Sequence, residues 1–204
     1  MNYLIAMCGQ QPQGTGETGQ TGGIVGLLPI ILIFVVFIIF NPILRRMSEE
    51  VINEDVAALI EDMKIVLTDE GGLGLAAPQV GENVRVILVD YSKLDDPLFD
   101  TIIPFVNPRI VNESKETETL EEGCLSIPGI YEDVKRPREI VVEAEIPGED
   151  KRRSIQTEGM TARVFCHEID HLNGILFIDR ISRIRRQLLT KSLREIKRKY
   201  GNKS

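Results

Sequence analysis

The only two histidines of this 204-residue chain, His167 and His171, stand four positions apart in the string His167-Glu168-Ile169-Asp170-His171. At about 3.6 residues per turn, positions i and i+4 lie one above the other, so a fold that uses both imidazoles together must hold this segment as helix. Two imidazoles on one face can reach one metal ion, and Glu168 then sits beside that ion, not on it. A carboxylate held there can take a proton from a metal-activated water and pass it to a leaving group, which is hydrolytic chemistry. The HExxH pattern by itself leaves the reaction open.

A catalytic site of this kind takes three protein ligands and leaves one position for water. With no third histidine in the chain, the remaining ligand is a carboxylate or a cysteine. Cys124 lies in Glu121-Glu122-Gly123-Cys124-Leu125-Ser126-Ile127-Pro128, among glycine and turn residues that admit close backbone approach. Cys166, the rival beside His167, projects about 100° around the helix from its neighbour and reads as a packing residue. A thiolate with two imidazoles binds soft or borderline divalent ions, iron, zinc, cobalt and nickel among them. A third segment, Gly71-Gly72-Leu73-Gly74-Leu75-Ala76-Ala77-Pro78-Gln79, offers glycines for a wall against which a substrate backbone can lie, and Gln79 as a donor to a developing oxyanion. It lacks the Lys-Ser/Thr ending of a phosphate loop, which argues against nucleotide binding.

The length and the 43% hydrophobic content suit one core. A net charge of -7 argues against specific DNA binding, although the last stretch is basic. Cys8, Cys124 and Cys166 follow no disulfide spacing, so a reducing compartment is expected. Residues 1–23 read as a polar, disordered tail, rich in Gly, Gln and Thr from 9 onward. From 24 to 40 every residue is apolar, Gly or Pro, with Arg45-Arg46 soon after, and this is read as a membrane anchor at the short end of the usual range. A buried first strand is the alternative for this run. No positive charge precedes it, so a cleaved signal peptide fits poorly, and the positive-inside rule puts the N-terminus outside and the globular part at the cytoplasmic face.

Periodicity predicts a first helix capped by Asn53, with Val56, Leu59, Ile60, Met63 and Val66 or Leu67 at helical spacing. Strand-like runs follow at 84–90, 102–106, 109–112, 139–146 and 152–157. They come mostly as neighbours without intervening helices, so the expected class is α+β, with largely antiparallel sheets packed around a central metal-binding helix. That helix is expected at 161–173, with Gly174 at its C-terminal cap. A last, basic amphipathic helix is expected at 182–200, with Ile184, Leu188, Leu189, Leu193 and Ile196 on one face.

Taken together, the loop at 72–79, the Glu122 to Ser126 segment and the His167 to His171 helix resemble one family, peptide deformylase, whose GφGφAAxQ, EGCφS and HEφDH motifs they match in order. The phrases NPILRRMSEEV at 41–51, FVNPRI at 105–110 and KRPREIVVEA at 135–144 resemble its flanking segments, so the likeness covers 41–180, the expected catalytic domain, and leaves 181–204 as a basic helix. The resemblance implies removal of the formyl group from N-terminal formyl-methionine of new polypeptides, with release of formate. It implies Cys124, His167 and His171 as ligands of a ferrous ion replaceable by Zn2+, Ni2+ or Co2+, and Glu168 as general base and acid. Gln79 and the Leu125 N–H would stabilise the oxyanion, while Leu73, Gly74, Glu122, Gly123 and Val164 would contact substrate, with Phe165 near the methionine pocket. Asp170 would pair with an Arg, and the basic final helix would contact the ribosome. The chain departs from the family in having Cys166 where glutamine is usual, and in its N-terminal extension, which looks somewhat like the single span of the small accessory subunit of the bacterial Sec translocase. Two other readings are a zincin-type endopeptidase, which leaves Cys124 and the glycine loop unexplained, and a membrane-tethered accessory protein with a dead site.

Overall fold

The computed structural model describes residues 41–200, so the readings of 1–23 as a tail and of 24–40 as an anchor lie outside the described residues. The described elements are α1 (Ala57–Glu70), β1 (Gly74–Ala76), β2 (Val86–Asp90), β3 (Ile102–Glu113), β4 (Thr117–Cys124), β5 (Ile127–Pro137), β6 (Glu139–Glu145), β7 (Arg153–Glu158), α2 (Gly159–Leu172), α3 (Arg183–Leu188) and α4 (Thr190–Tyr200). Strands β1-β2-β3-β6-β7 form one sheet in that order, antiparallel throughout, and β4 pairs with β5 as a second, two-stranded sheet. This is the expected α+β class. Among the described residues no helix is long and apolar enough to cross a membrane.

Alternation along β2 explains the layering, because successive side chains of a strand point to opposite faces. Val86 and Leu88 join Ile60, Met63 and Leu67 of α1 in one apolar cluster. Ile87 and Val89 join Val164, Phe165, Ile169 and Leu172 of α2 in another. Each such side chain, wholly removed from water, stabilises the fold by about 1.5–3 kcal/mol. A third cluster ties the β4–β5 hairpin, through Cys124, Ile127, Ile130 and Val134, to Leu44, Phe177 and Ile178. Enclosed between sheet and hairpin, α2 is buried at every position from Thr161 to Leu172. A helix carrying two histidines and two acids is thus an interior element.

The end of α2 is fixed from several directions. Gly174 N donates to His171 O at 3.1 Å and Ile175 N to Asp170 O at 2.9 Å, the paired bonds of a Schellman ending, with Gly174 in the left-handed region at φ 71°. The Arg85 guanidinium donates to Leu172 O at 3.4 Å and Asn173 Oδ1 at 3.1 Å, placing a cation where the helix dipole is negative.

Four local expectations differ from what is observed. Asn53 has φ 56° and does not cap α1, which begins at Ala57 with Asp55 Oδ1 accepting from Ala57 N at 2.9 Å; asparagine tolerates the left-handed turn that precedes the helix. The runs at 102–106 and 109–112 form a single strand, β3, because Asn107, at φ 50°, absorbs Pro108 in a bulge and bonds Val51 N and O at 2.9 Å through its side chain. The β4–β5 hairpin had no predicted counterpart along most of its length. The final helix breaks at Leu189, and its apolar residues do not share one face: Leu189, Leu193 and Ile196 pack inward while Ile184 and Leu188 remain in solvent.

Gly174 carries a stability prediction. A Cβ there would lie 2.8 Å from the backbone carbon of Arg45, and a non-glycine residue in the left-handed region adds about 1–2 kcal/mol of strain. Gly174→Ala should therefore lower Tm by several degrees, at roughly 2–4 °C per kcal/mol for a chain of this size. An unchanged thermal melt would contradict this account.

Candidate metal centre

Cys124 is the last residue of β4; Leu125 and Ser126 turn the chain back into β5, and the register shifts between Gly123 and Cys124. Its Sγ lies 3.2 Å from His171 Nε2. One ligand atom from each of Cys124, His167 and His171 can be chosen so that all lie within 4.8 Å of one another, and all three residues are buried. Around a tetrahedral ion with bonds of about 2.0–2.3 Å, neighbouring ligand atoms stand about 3.5 Å apart, so the spacing and the N2S donor set fit a divalent cation. Cys166 packs instead in the cluster between sheet and helix, where burial pushes its thiol up to about 11.

Glu122 fixes how His167 is presented. His167 Nδ1 lies 3.0 Å from Glu122 Oε2, and Glu122 also accepts from Arg136 Nε at 2.9 Å, Arg136 Nη2 at 3.0 Å and Arg163 Nη1 at 2.7 Å. Burial alone would raise the Glu122 carboxyl, but hydrogen bonds from His167 and Arg136 hold it far below the usual carboxylate range. An ionised carboxylate can only accept, so His167 Nδ1 carries a proton and Nε2 is the nitrogen left to face a metal. Against its burial, Cys124 and Glu122 raise the imidazole well above its ordinary value, so a bound metal would take the place of the Nε2 proton. Burial and the neighbouring His167 keep His171 well below its ordinary value, hence neutral. Arg136 continues to Asp170, which also receives Arg180 Nε at 3.0 Å. Glu122, Arg136, Arg163 and Asp170 thus each face an opposite charge, the condition under which such groups are tolerated away from water.

Glu168 differs from every other acid in the region. It is 2% exposed, its Oε2 has no hydrogen-bond partner among the described residues, and burial pushes its carboxyl up to about 7. Gly74 makes room for it: a Cβ at that position would lie 2.7 Å from Glu168 Oε1 and 2.8 Å from Val164 Cγ1. Gln79 accepts from Ala76 N at 2.8 Å through Oε1, which turns its Nε2 toward Cys124 Sγ at 3.7 Å and Ser126 Oγ at 3.3 Å. A fixed amide donor therefore stands over the Cys124 corner.

The fold thus brings together Cys124, His167, His171, Glu168, Gln79, Leu125, Gly74 and Val164. Leu73 packs on the edge of the same core cluster. Two expectations need correction. The Glu122 side chain has no exposed surface and both its oxygens are occupied, so it positions His167 and leaves nothing for a substrate to contact. Phe165 stacks edge-to-face on Phe105 at 4.9 Å inside the core, away from the cluster of ligands. Gly123 owes its small size to Tyr131, whose ring carbon would lie 2.6 Å from a Cβ there.

Arg136, Arg163 and Ser126 were missed from the sequence. A signal for Arg136 existed: it falls on the inward face of β5 with Ile130, Glu132 and Val134, every second residue. Arg163 stands one helical turn before His167 on α2, and bonds Val134 O and Glu118 O at 2.9 Å.

The family model described as polypeptide deformylase matches residues 34–187. A peptide deformylase of Treponema pallidum is 46% identical over 147 residues, covering 71% of this chain and 86% of its own length. That of Rhizobium meliloti is 39% identical over 166 residues, covering 80% and 94%. Among solved structures, Arabidopsis thaliana peptide deformylase 1B in complex with an inhibitor superposes with a TM-score of 0.72 at 36% identity, over 81% of this chain and 91% of that one. A Plasmodium falciparum peptide deformylase in an inhibitor complex gives a TM-score of 0.68 at 35% identity, over 78% and 96%. With the ordered motifs, the buried Cys/His/His cluster and these likenesses in agreement, the chain belongs to the peptide deformylase family.

Proposed function

We propose how the residues of this chain divide the reaction of that family, the metal-dependent hydrolysis of the N-terminal formyl group of newly synthesised polypeptides to formate. Cys124, His167 and His171 would hold the catalytic divalent ion, with ferrous iron our assignment and zinc, nickel or cobalt as substitutes. When bound, that ion supplies Lewis acidity, polarising the formyl carbonyl and making water a better nucleophile near neutral pH. Glu168 takes the proton of the attacking water as oxygen adds to the formyl carbon, then delivers it to the nitrogen as the C–N bond breaks, leaving formate and a free amine. A carboxyl poised near neutrality suits both halves of that transfer. Gln79 Nε2 and the Leu125 N–H donate to the oxygen on which charge collects, and Gln79 needs no reorientation to do so. Leu73, Gly74, Gly123 and Val164 flank the substrate. The observation that carries this reading is the convergence of Cys124 with both histidines beside an unpartnered buried carboxylate. An HExxH endopeptidase would leave Cys124 without a role.

Localisation and partners form a finer part of the reading. Residues 24–40 would anchor the enzyme with its catalytic part at the cytoplasmic membrane face, and the basic exposed side of α4, with Lys191 and Arg198, would meet ribosomal phosphates.

Protein purified anaerobically should release formate from a formyl-Met peptide, leave the unformylated peptide uncut and lose activity to a chelator. Glu168→Gln should lower kcat by about 10²–10⁴ with metal content retained, whereas Cys124→Ser should lose the metal. Internal cleavage without formate would defeat the assignment. Glu122→Gln, which leaves His167 without its anionic partner, should weaken metal affinity by about 10–100-fold; equilibrium competition with a chromogenic chelator reads this directly, and wild-type affinity would remove Glu122 from the role given it. For the anchor, alkaline carbonate extraction should leave the protein in the membrane pellet, and recovery in the supernatant would rule it out.

A further inference from the structure

We propose that α3, with the cleft it forms against α4, is a docking surface for the anionic phospholipid headgroups of a bilayer. All six residues of α3 are exposed, and Ile184 and Leu188, one helical turn apart on one face, are 72% and 70% exposed. An aliphatic pair left in water next to cationic side chains is the composition of a helix that lies in a membrane interface. On the adjoining face Arg183, Arg186, Arg194 and Lys197 line a cleft of about 400 Å³ between the two helices. Its size and charge suit a phosphate-bearing headgroup, and each Lys or Arg near an anionic leaflet contributes about 1 kcal/mol.

The entry of the chain into the fold lies beside this surface. Arg45 and Arg186 both donate to Asp179, one to each carboxylate oxygen. Ile43 packs into the same cluster as Leu189 and Leu193. Ile43 and Arg45, shortly after the run at 24–40, therefore lie near α3, so a bilayer that held the run would be close to this surface. This alignment rests on the anchor reading given above, whereas the exposed pair and the cationic cleft do not depend on it. A nucleic-acid surface would reward the arginines but not the aliphatic side chains, which is why lipid is the occupant.

The chain contains no tryptophan, so Ile184→Trp creates a single fluorescent reporter at the surface in question. Full-length protein carrying it would be reconstituted into phosphatidylcholine vesicles with and without phosphatidylglycerol, after its turnover of a formyl-Met peptide in solution had been matched to wild type. The emission maximum should move to shorter wavelength only when phosphatidylglycerol is present. The shift should shrink in about 1 M salt, where the Debye length is roughly 3 Å, and should vanish when Arg183→Glu and Arg194→Glu are added. Carbonate extraction of the same vesicles reports on the anchor separately. Protein that stays in the membrane with no spectral shift overturns the docking surface and leaves the anchor standing. A shift in protein that carbonate strips away supports the docking surface and removes the anchor. A shift on purified ribosomes with none on phosphatidylglycerol vesicles overturns the proposal in favour of a ribonucleoprotein surface.

Discussion

Glu122 has no exposed surface, and two arginines and a histidine close on its two oxygens. The geometry of the metal centre descends from that arrangement. Glu122 stands two residues before Cys124 on β4, and its partners lie on β5 and α2, so one carboxylate aligns the strand that brings the sulfur with the helix that brings both imidazoles. A buried carboxylate facing only apolar groups would neutralise itself by taking a proton, and it would then cease to define which His167 nitrogen carries hydrogen. The guanidinium of Arg136 prevents this, and Asp170 and Arg180 in turn hold Arg136 and the end of α2 in place. Burial of a complete charge network substitutes here for an apolar contact between helix and hairpin, and its geometric demands are stricter.

The contrast with Glu168 follows from the same physics. Both acids are buried within one site, yet one is driven far below the usual carboxylate range and the other raised to about 7. Burial pushes both upward. Glu122 has charged donors on each oxygen, whereas Glu168 has an oxygen without any partner among the described residues. Two carboxyls whose surroundings drive them apart divide naturally into a fixed orienting anion and a proton carrier. Gly74 is the steric condition for the second, because any side chain there would occupy the place of the Glu168 carboxyl.

What the sequence disclosed divides along a physical line. The metal helix was legible because i, i+4 spacing has one structural meaning, and β2 because a β-branched run buried on both faces leaves an unbroken apolar string. The hairpin was hard to read because half its inward positions carry charge. On β5, Ile130 and Val134 alternate inward with Glu132 and Arg136, so a hydrophobicity pattern of period two is erased by the residues that matter most for the site. The role of Glu122 was misjudged for a related reason. Its place in the EGCφS motif implied contact with substrate, but residues two apart on a strand share a face, and the occupants of that face are fixed by which helix packs on it. Asn53 and Asn107 were opaque in another way, since an asparagine in the left-handed region is indistinguishable by sequence from one that caps a helix.

The break at Leu189 bears on how the end of the chain is used. At about 100° per residue, Leu189 stands about 140° around the helical path from Ile184, with Leu193 and Ile196 on its side, so the apolar positions of 182–200 divide between two faces. Leu189, Leu193 and Ile196 pack against the core cluster, and Ile184 and Leu188 face outward. Ile184 and Leu188 are as exposed as Met47 and Ile52 elsewhere on the described surface, but these two are neighbours on one helix. Asp179 shows that the turned-out geometry is held and not frayed, since it joins the Arg45 and Arg186 side chains and accepts from Leu176 N at 2.9 Å. A helix held in an orientation that keeps two aliphatic side chains side by side in solvent, beside a cationic cleft, is the observation on which the proposed docking surface stands.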